Sequence, residues 1–129
     1  MVNEKTTETA KKILLVDDEQ LIRSLVKQIL ERQGYEITTA ENGKAGFGVF
    51  AKNPEWFGLV IMDLNMPIWD GQKTFKKMKR VLTDVNVLFI SAYFEPGEKT
   101  SLLERGAFGC LTKPFNLEDL IDKVRSVLG

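Results

Sequence analysis

The stretch Ile13-Leu14-Leu15-Val16-Asp17-Asp18-Glu19 decides the reading of this chain. Four apolar residues with no polar alternation form a run too short for a helix, which marks a strand buried on both faces. Three carboxylates follow it at once. The same kind of short apolar run recurs at Tyr35 to Thr39, Phe57 to Met62, Val85 to Ile90 and Ala107 to Thr112.

Between these runs the apolar spacing changes to that of helices. Leu21, Ile22, Leu25, Val26, Ile29 and Leu30 form one stripe, with Gly34 as the stop signal. Phe75, Met78, Val81 and Leu82 form another between Asp70 and Leu82, and Glu98 to Arg105 is a shorter helix ending near Gly106. Leu117, Leu120, Ile121, Val124 and Leu128 form the last, with Asn116 as its N-cap. Gly43 to Lys52 reads as a loosely held helix, because Gly46 and Gly48 each cost about 0.5–1 kcal/mol relative to Ala. Five strands alternating with five helices predict an α/β domain, a doubly wound five-stranded parallel sheet covered on both faces.

Composition narrows the function classes. The 129 residues carry 18 Lys and Arg against 18 Asp and Glu, and so have no basic excess for nucleic acid; no direct nucleic-acid partner is expected. One cysteine excludes a disulfide framework, and zero histidines exclude a His triad, a His metal ligand and a phosphohistidine on this chain. The polar residues 1–10 read as a flexible tail with no apolar core for a signal peptide. No run approaches the ~20 apolar residues of a membrane span, so no membrane association and a cytoplasmic location are the expectations.

In an open α/β sheet, ligands bind beyond the carboxyl ends of the strands. There the chain places Asp17, Asp18 and Glu19 after the first strand, Asp63 after the third, Ser91 after the fourth and Lys113-Pro114 after the fifth. Each has a plainer reading: a helix cap for the paired aspartates or for Ser91, a solvated loop for Asp63, a surface position for Lys113. Their convergence on one rim is the stronger pattern. Carboxylates crowded together repel unless a cation joins them, and oxygen ligands without His or Cys favour Mg²⁺ over Zn²⁺. A carboxylate there can act as nucleophile toward a phosphoryl group, with the ammonium and the hydroxyl meeting its oxygens.

On these residues, together with Val60-Ile61-Met62-Asp63-Leu64-Asn65-Met66-Pro67, Asp70-Gly71, Ser91-Ala92, Gly106-Ala107 and Leu111-Thr112-Lys113-Pro114-Phe115, the chain resembles the receiver domain of two-component response regulators. The resemblance covers residues 11–129 and implies a flavodoxin-like (βα)5 fold with strand order 2-1-3-4-5. It implies that Asp63 is the phosphoacceptor and that Asp18 ligates Mg²⁺ directly, with Asp17 acting mainly through water. Asp63 and the backbone carbonyl of Asn65 complete the metal set. Ser91 would move toward the phosphoryl group, Lys113 would pair with Asp63 and then with the phosphate, and Lys113-Pro114 would be cis.

The implied activity is not that of an enzyme in the ordinary sense. The domain promotes only its own phosphorylation and dephosphorylation. The implied partners are a sensor histidine kinase or histidine phosphotransfer protein, and a downstream protein or output domain at the strand 5 face. Whether the chain acts alone or is a piece of a longer regulator is left open.

Three positions depart from the pattern or tune it. Cys110 stands where the family usually has Tyr or Phe, so it is either a plain strand cysteine or the mark of a switch that is shallow or carried by another element, such as Tyr93 or the Glu95–Arg105 segment. Asn65 and Tyr93 border the path of the hydrolytic water, and the bulk of Tyr93 predicts slow dephosphorylation. Trp69 reads as packing or as a contact for a kinase or phosphatase.

Other classes fit less well. A degenerate receiver used for unphosphorylated docking usually lacks an acid, the acceptor or the lysine, and all are present. An aspartyl phosphatase needs an acid two residues after its nucleophile, where Asn65 stands. An FMN site needs a phosphate loop, where Asp17-Asp18-Glu19 would repel the ligand.

Overall fold

The computed structural model describes residues 11–129, so the expected tail over 1–10 lies outside the described residues. The strands are β1 (Lys12–Val16), β2 (Glu36–Ala40), β3 (Leu59–Asp63), β4 (Val87–Ser91) and β5 (Gly109–Thr112). The helices are α1 (Gln20–Arg32), α2 (Gly43–Lys52), α3 (Gly71–Val81), α4 (Glu98–Glu104) and α5 (Leu117–Leu128), with a 3₁₀ turn at Pro54–Trp56 that the periodicity gave no sign of. All strand pairs are parallel, in the order β2-β1-β3-β4-β5. The expected architecture is therefore the observed one. No helix among the described residues is long and apolar enough to cross a membrane.

β1, β3 and β4 are buried along their whole length, which explains their unbroken apolar runs. Alternate side chains divide between two cores. Leu14, Val16, Val60, Met62, Val87 and Phe89 pack with Phe50 of α2, Phe75 and Met78 of α3 and Leu102 of α4. Ile13, Leu15, Leu59, Ile61, Leu88 and Ile90 pack with Val26 and Leu30 of α1 and Leu120 and Val124 of α5.

The structure corrects the sequence reading in three places. Strands begin or end one or two residues from their apolar runs, because the ladder and not hydrophobicity sets the limit: Phe57 and Val85 precede their strands, while Asp63 and Ser91 close them. The stripe of α1 is narrower than six residues. Ile22, Val26 and Leu30 face the sheet at four-residue spacing, while Leu21 is 85% exposed and Leu25 is 47% exposed on its flank.

The third correction concerns α2. Two of its glycines serve close approach. A Cβ on Gly46 would lie 2.7 Å from Val16 Cγ2, and one on Gly43 would lie 2.5 Å from the Trp69 carbonyl oxygen. Asn42 caps the helix by accepting from Ala45 N at 2.8 Å. Gly48 meets nothing within 4 Å and so carries only the conformational cost. The helix is pressed onto β1 and α3 where the sequence suggested looseness. Trp69 belongs to the same packing, with its ring 5.8 Å from Phe47 and Lys73 and Lys77 over its faces.

Opposite outcomes are expected for two conservative changes in this helix. Gly48→Ala should raise unfolding free energy by about 0.5–1 kcal/mol. Gly46→Ala should lower it by about 1–3 kcal/mol, because buried Val16 has no room to yield. Urea denaturation followed by circular dichroism measures both.

Candidate functional site

Strand register carries distant residues to one level of the sheet. Val16 pairs with Met62, Asp63 with Ile90 and Ser91 with Thr112. Asp17, Asp63, Ser91 and Lys113 therefore stand side by side at the carboxyl ends of β1, β3, β4 and β5. Asp17, Asp63 and Ser91 are buried, and Asp18 is exposed.

Local turns fix each acid. Asp17 Oδ1 accepts from Glu19 N at 2.8 Å, and Arg23 Nη1 donates to the Asp17 carbonyl at 2.6 Å. Asp63 Oδ1 accepts from Asn65 N at 3.0 Å. The paired aspartates do not cap α1; Glu19 occupies that position, with no side-chain cap bond. Behind Asp63, a Cβ on Gly71 would lie 2.6 Å from the Asp63 carbonyl oxygen, so only glycine lets α3 start this close to the strand. Asp70 caps α3 by accepting from Lys73 N at 2.8 Å. In the loop between them Ile68 has a φ of 71°, a left-handed conformation that strains a β-branched residue by about 1–2 kcal/mol.

Lys113 joins the acids. Its Nζ lies 3.1 Å from Asp63 Oδ2, 3.0 Å from Glu19 Oε1 and 3.1 Å from Asp17 Oδ2. The first two are hydrogen bonds. The third is an ion pair without a hydrogen bond, so Asp17 Oδ2 is a buried oxygen with no hydrogen-bond partner among the described residues. The peptide Lys113-Pro114 is cis, and Lys113 N donates to the Ser91 carbonyl at 2.7 Å. The sequence placed Glu19 in the acidic rim but gave no sign that it shares the lysine, a contact made across the strand ends when the segment after β5 meets the segment after β1.

Ser91 is tied to its own loop. Its Oγ donates to the Tyr93 carbonyl at 2.7 Å and accepts from Tyr93 N at 3.2 Å and from Asn65 Nδ2 at 3.1 Å. Asn65 thus bridges Ser91 and Asp63, which share no hydrogen bond with each other. The Tyr93 ring is 59% exposed. Cys110 is half-buried in β5 opposite Phe89, packed against the core away from the carboxylates, and burial holds its thiol pKa up.

Charge sets the chemistry available. Burial raises the Asp63 pKa above the ordinary value, the Asn65 N–H and Lys113 oppose that shift, and Asp17 adds to it. For Lys113, burial works to lower the pKa, but Glu19, Asp63 and Asp17 together carry it well above the usual lysine value. One oxygen from each of Asp17, Asp18 and Asp63 lies within 4.8 Å of the others. An oxygen-only set with an unsatisfied buried oxygen and excess negative charge fits a hard divalent cation.

The Asp63 shift has a consequence for stability. Because the folded state holds this proton more tightly than the unfolded chain, stability falls as pH rises from the ordinary aspartate value through the raised one. Asp63→Asn is therefore expected to stabilise the fold at neutral pH. The gain should shrink as pH falls below the ordinary aspartate range, where both folded and unfolded wild-type chains are protonated. Thermal melts of both proteins across pH 3–7 read this directly.

Comparisons with known proteins agree with the architecture. The family model for the response regulator receiver domain matches residues 13–125. The chain is 36% identical over 117 residues to a protein of Haemophilus influenzae named "Transcriptional regulatory protein CpxR homolog", covering 91% of this chain and 50% of that protein. It spans about half the length of the first relatives it matches. It is 32% identical to "Sporulation initiation phosphotransferase F" of Bacillus subtilis, covering 91% of this chain and 93% of that protein. Among solved structures, Vibrio cholerae chemotaxis protein CheY4 superposes with a TM-score of 0.81 at 33% identity, covering 91% and 98% of the two chains. With its sheet order, its acidic rim and these matches taken together, the chain belongs to the response regulator receiver domain family.

Proposed function

We propose that this chain is a phosphorylation-activated signalling receiver in which Asp63 accepts a phosphoryl group and the change alters a protein-interaction surface. The observation that carries the reading is the ion pair of Lys113 with buried Asp63, beside an Asp17 oxygen with no hydrogen-bond partner. A relative of nearly equal length bears the name of a phosphotransferase, which supports the same chemistry. The donor would be a sensor histidine kinase or a histidine phosphotransfer protein, because this chain has no histidine of its own.

In the proposed step an Asp63 carboxylate oxygen attacks phosphorus. The bond from phosphorus to the donor's imidazole nitrogen breaks, its electron pair stays on that nitrogen, and an acyl phosphate forms. Asp17, Asp18, Asp63 and the Asn65 carbonyl would hold Mg²⁺, which when bound would neutralise charge on the transferring group. Lys113 would shift from the carboxylate to a phosphoryl oxygen, and Ser91 would turn its hydroxyl from the Tyr93 carbonyl to another. Release of that Ser91 bond would free the loop before α4, and so carry the signal toward the face formed by α4, β5 and α5. With Cys110 in place of an aromatic, no ring on β5 is available to follow it inward.

Two experiments test this reading. Incubation with acetyl phosphate and Mg²⁺ should give an intact-mass adduct of about 80 Da, one phosphoryl group. The adduct should be absent from Asp63→Asn and from samples with excess chelator. Failure to form it with any phosphodonor would favour an unphosphorylated docking module. Second, Tyr93→Ala should shorten the adduct's lifetime a few-fold, read by mass spectrometry over time; an unchanged decay would remove Tyr93 from the water path.

A further inference from the structure

The net charge of zero conceals an uneven distribution. Helix α3 carries Lys73, Lys76, Lys77, Lys79 and Arg80 and no acidic residue. Among the described residues, none of these five is in an ion pair; the paired cations are Lys12 and Lys113. Lys73 and Lys77 lie over Trp69 on the side toward α2. Lys76 and Lys79 face the other way, toward Arg105 at the end of α4. There, with the edge of the buried Phe75 ring at its base, they line an open-sided cavity of about 380 Å³, its apolar surface coming largely from the aliphatic stems of the cations.

The groove is built in more than charge. Lys79 Nζ lies 5.5 Å from the Phe75 ring centroid. That amine lies close over Gly106, the left-handed glycine that ends α4. Arg105 Nη2 donates to Gln72 Oε1 at 3.0 Å, and Gln72 Nε2 donates to Glu98 Oε2 at 2.7 Å. That relay orients the guanidinium while leaving most of its donors unused. It also engages the Glu98 carboxylate, whose other oxygen accepts from Glu95 N at 2.9 Å.

We propose that the α3–α4 groove is a docking site for an acidic protein segment that carries one apolar anchor residue. The argument is charge complementarity together with shape. Three cations surround an apolar floor, which suits carboxylates flanking a hydrophobic side chain and gives a bare phosphate backbone nothing to bury. The neutral domain, with its acidic rim, lacks the long-range attraction for a nucleic-acid polyanion. The open side cannot enclose the 70–90% of surface that small-molecule sites bury, about the usual range for such pockets. An extended chain lying along α3 needs no enclosure. The groove is lined by none of the rim residues, so the unphosphorylated chain is expected to bind.

The test titrates a short peptide of glutamates around one phenylalanine into isotopically labelled protein, with amide shifts as the readout. Saturable shifts should cluster at Phe75, Lys76, Lys79, Arg105 and Gly106. The combined change Lys76→Gln, Lys79→Gln and Arg105→Gln should weaken binding about tenfold, the sum of three exposed charge contacts. Lys73→Gln with Lys77→Gln, on the same helix but outside the groove, should leave affinity within about twofold. Asp63→Asn should bind as the wild type does, which separates this surface from the proposed phosphoacceptor. Equal losses in the two charge variants would assign binding to diffuse helix charge and overturn the proposal. So would tighter binding of duplex DNA than of the peptide, or no saturable shifts in the wild type.

Discussion

The ammonium of Lys113 stands between Asp63, Glu19 and Asp17, and the rim of the domain depends on that arrangement. Four acids meet where β1 and β3 end, and two of them, Asp17 and Asp63, are buried. Without a cation such a group would repel itself, because like charges crowded into one rim raise one another's energy. One lysine offsets only part of the charge. The remainder is spread over Asn65 N–H, Glu19 N–H and solvent, and one Asp17 oxygen is left without a hydrogen bond. The site is therefore held with its negative charge incompletely matched, a condition that favours a further cation.

That arrangement requires tolerances set elsewhere in the fold. Lys113 reaches Asp63 because β5 pairs with β4 and β4 with β3 in a register that leaves Ser91 and Thr112 level. Asp63 is held from behind by α3, which can start so close only because residue 71 is glycine. On the other side, α2 lies on Val16 through Gly46, and it meets α3 through Gly43 near Thr74 and Trp69. Small residues at three helix contacts thus set the depth at which the carboxylates sit.

Most of the fold was legible in the chain because buried parallel strands leave an unmistakable trace: apolar residues without alternation, as in Ile13 to Val16 and Leu59 to Met62. The rim was legible for a related reason, since residues just past such runs must share one edge of the sheet. Other features were less so. Periodicity could not tell that Leu21 and Leu25 stay exposed, because six apolar residues span a wider arc than the sheet covers. Nor could composition tell that Gly46 is a contact and Gly48 is not.

The sequence by itself determined the alternation of strands and helices, the acids and lysine at the strand ends, and the absence of any histidine to donate a phosphoryl group. These follow from residue order, because hydrophobic pattern and residue chemistry are local properties. Tertiary structure alone decided that Glu19 shares Lys113, that Asn65 bridges Ser91 to Asp63, and that one Asp17 oxygen meets Lys113 without a hydrogen bond. It also decided that the cations of α3 and Arg105 face a common groove. The physical reason is the same in each case: charge and hydrogen-bond partners act over a few ångströms of space, and only the folded register brings residues tens of positions apart within that reach.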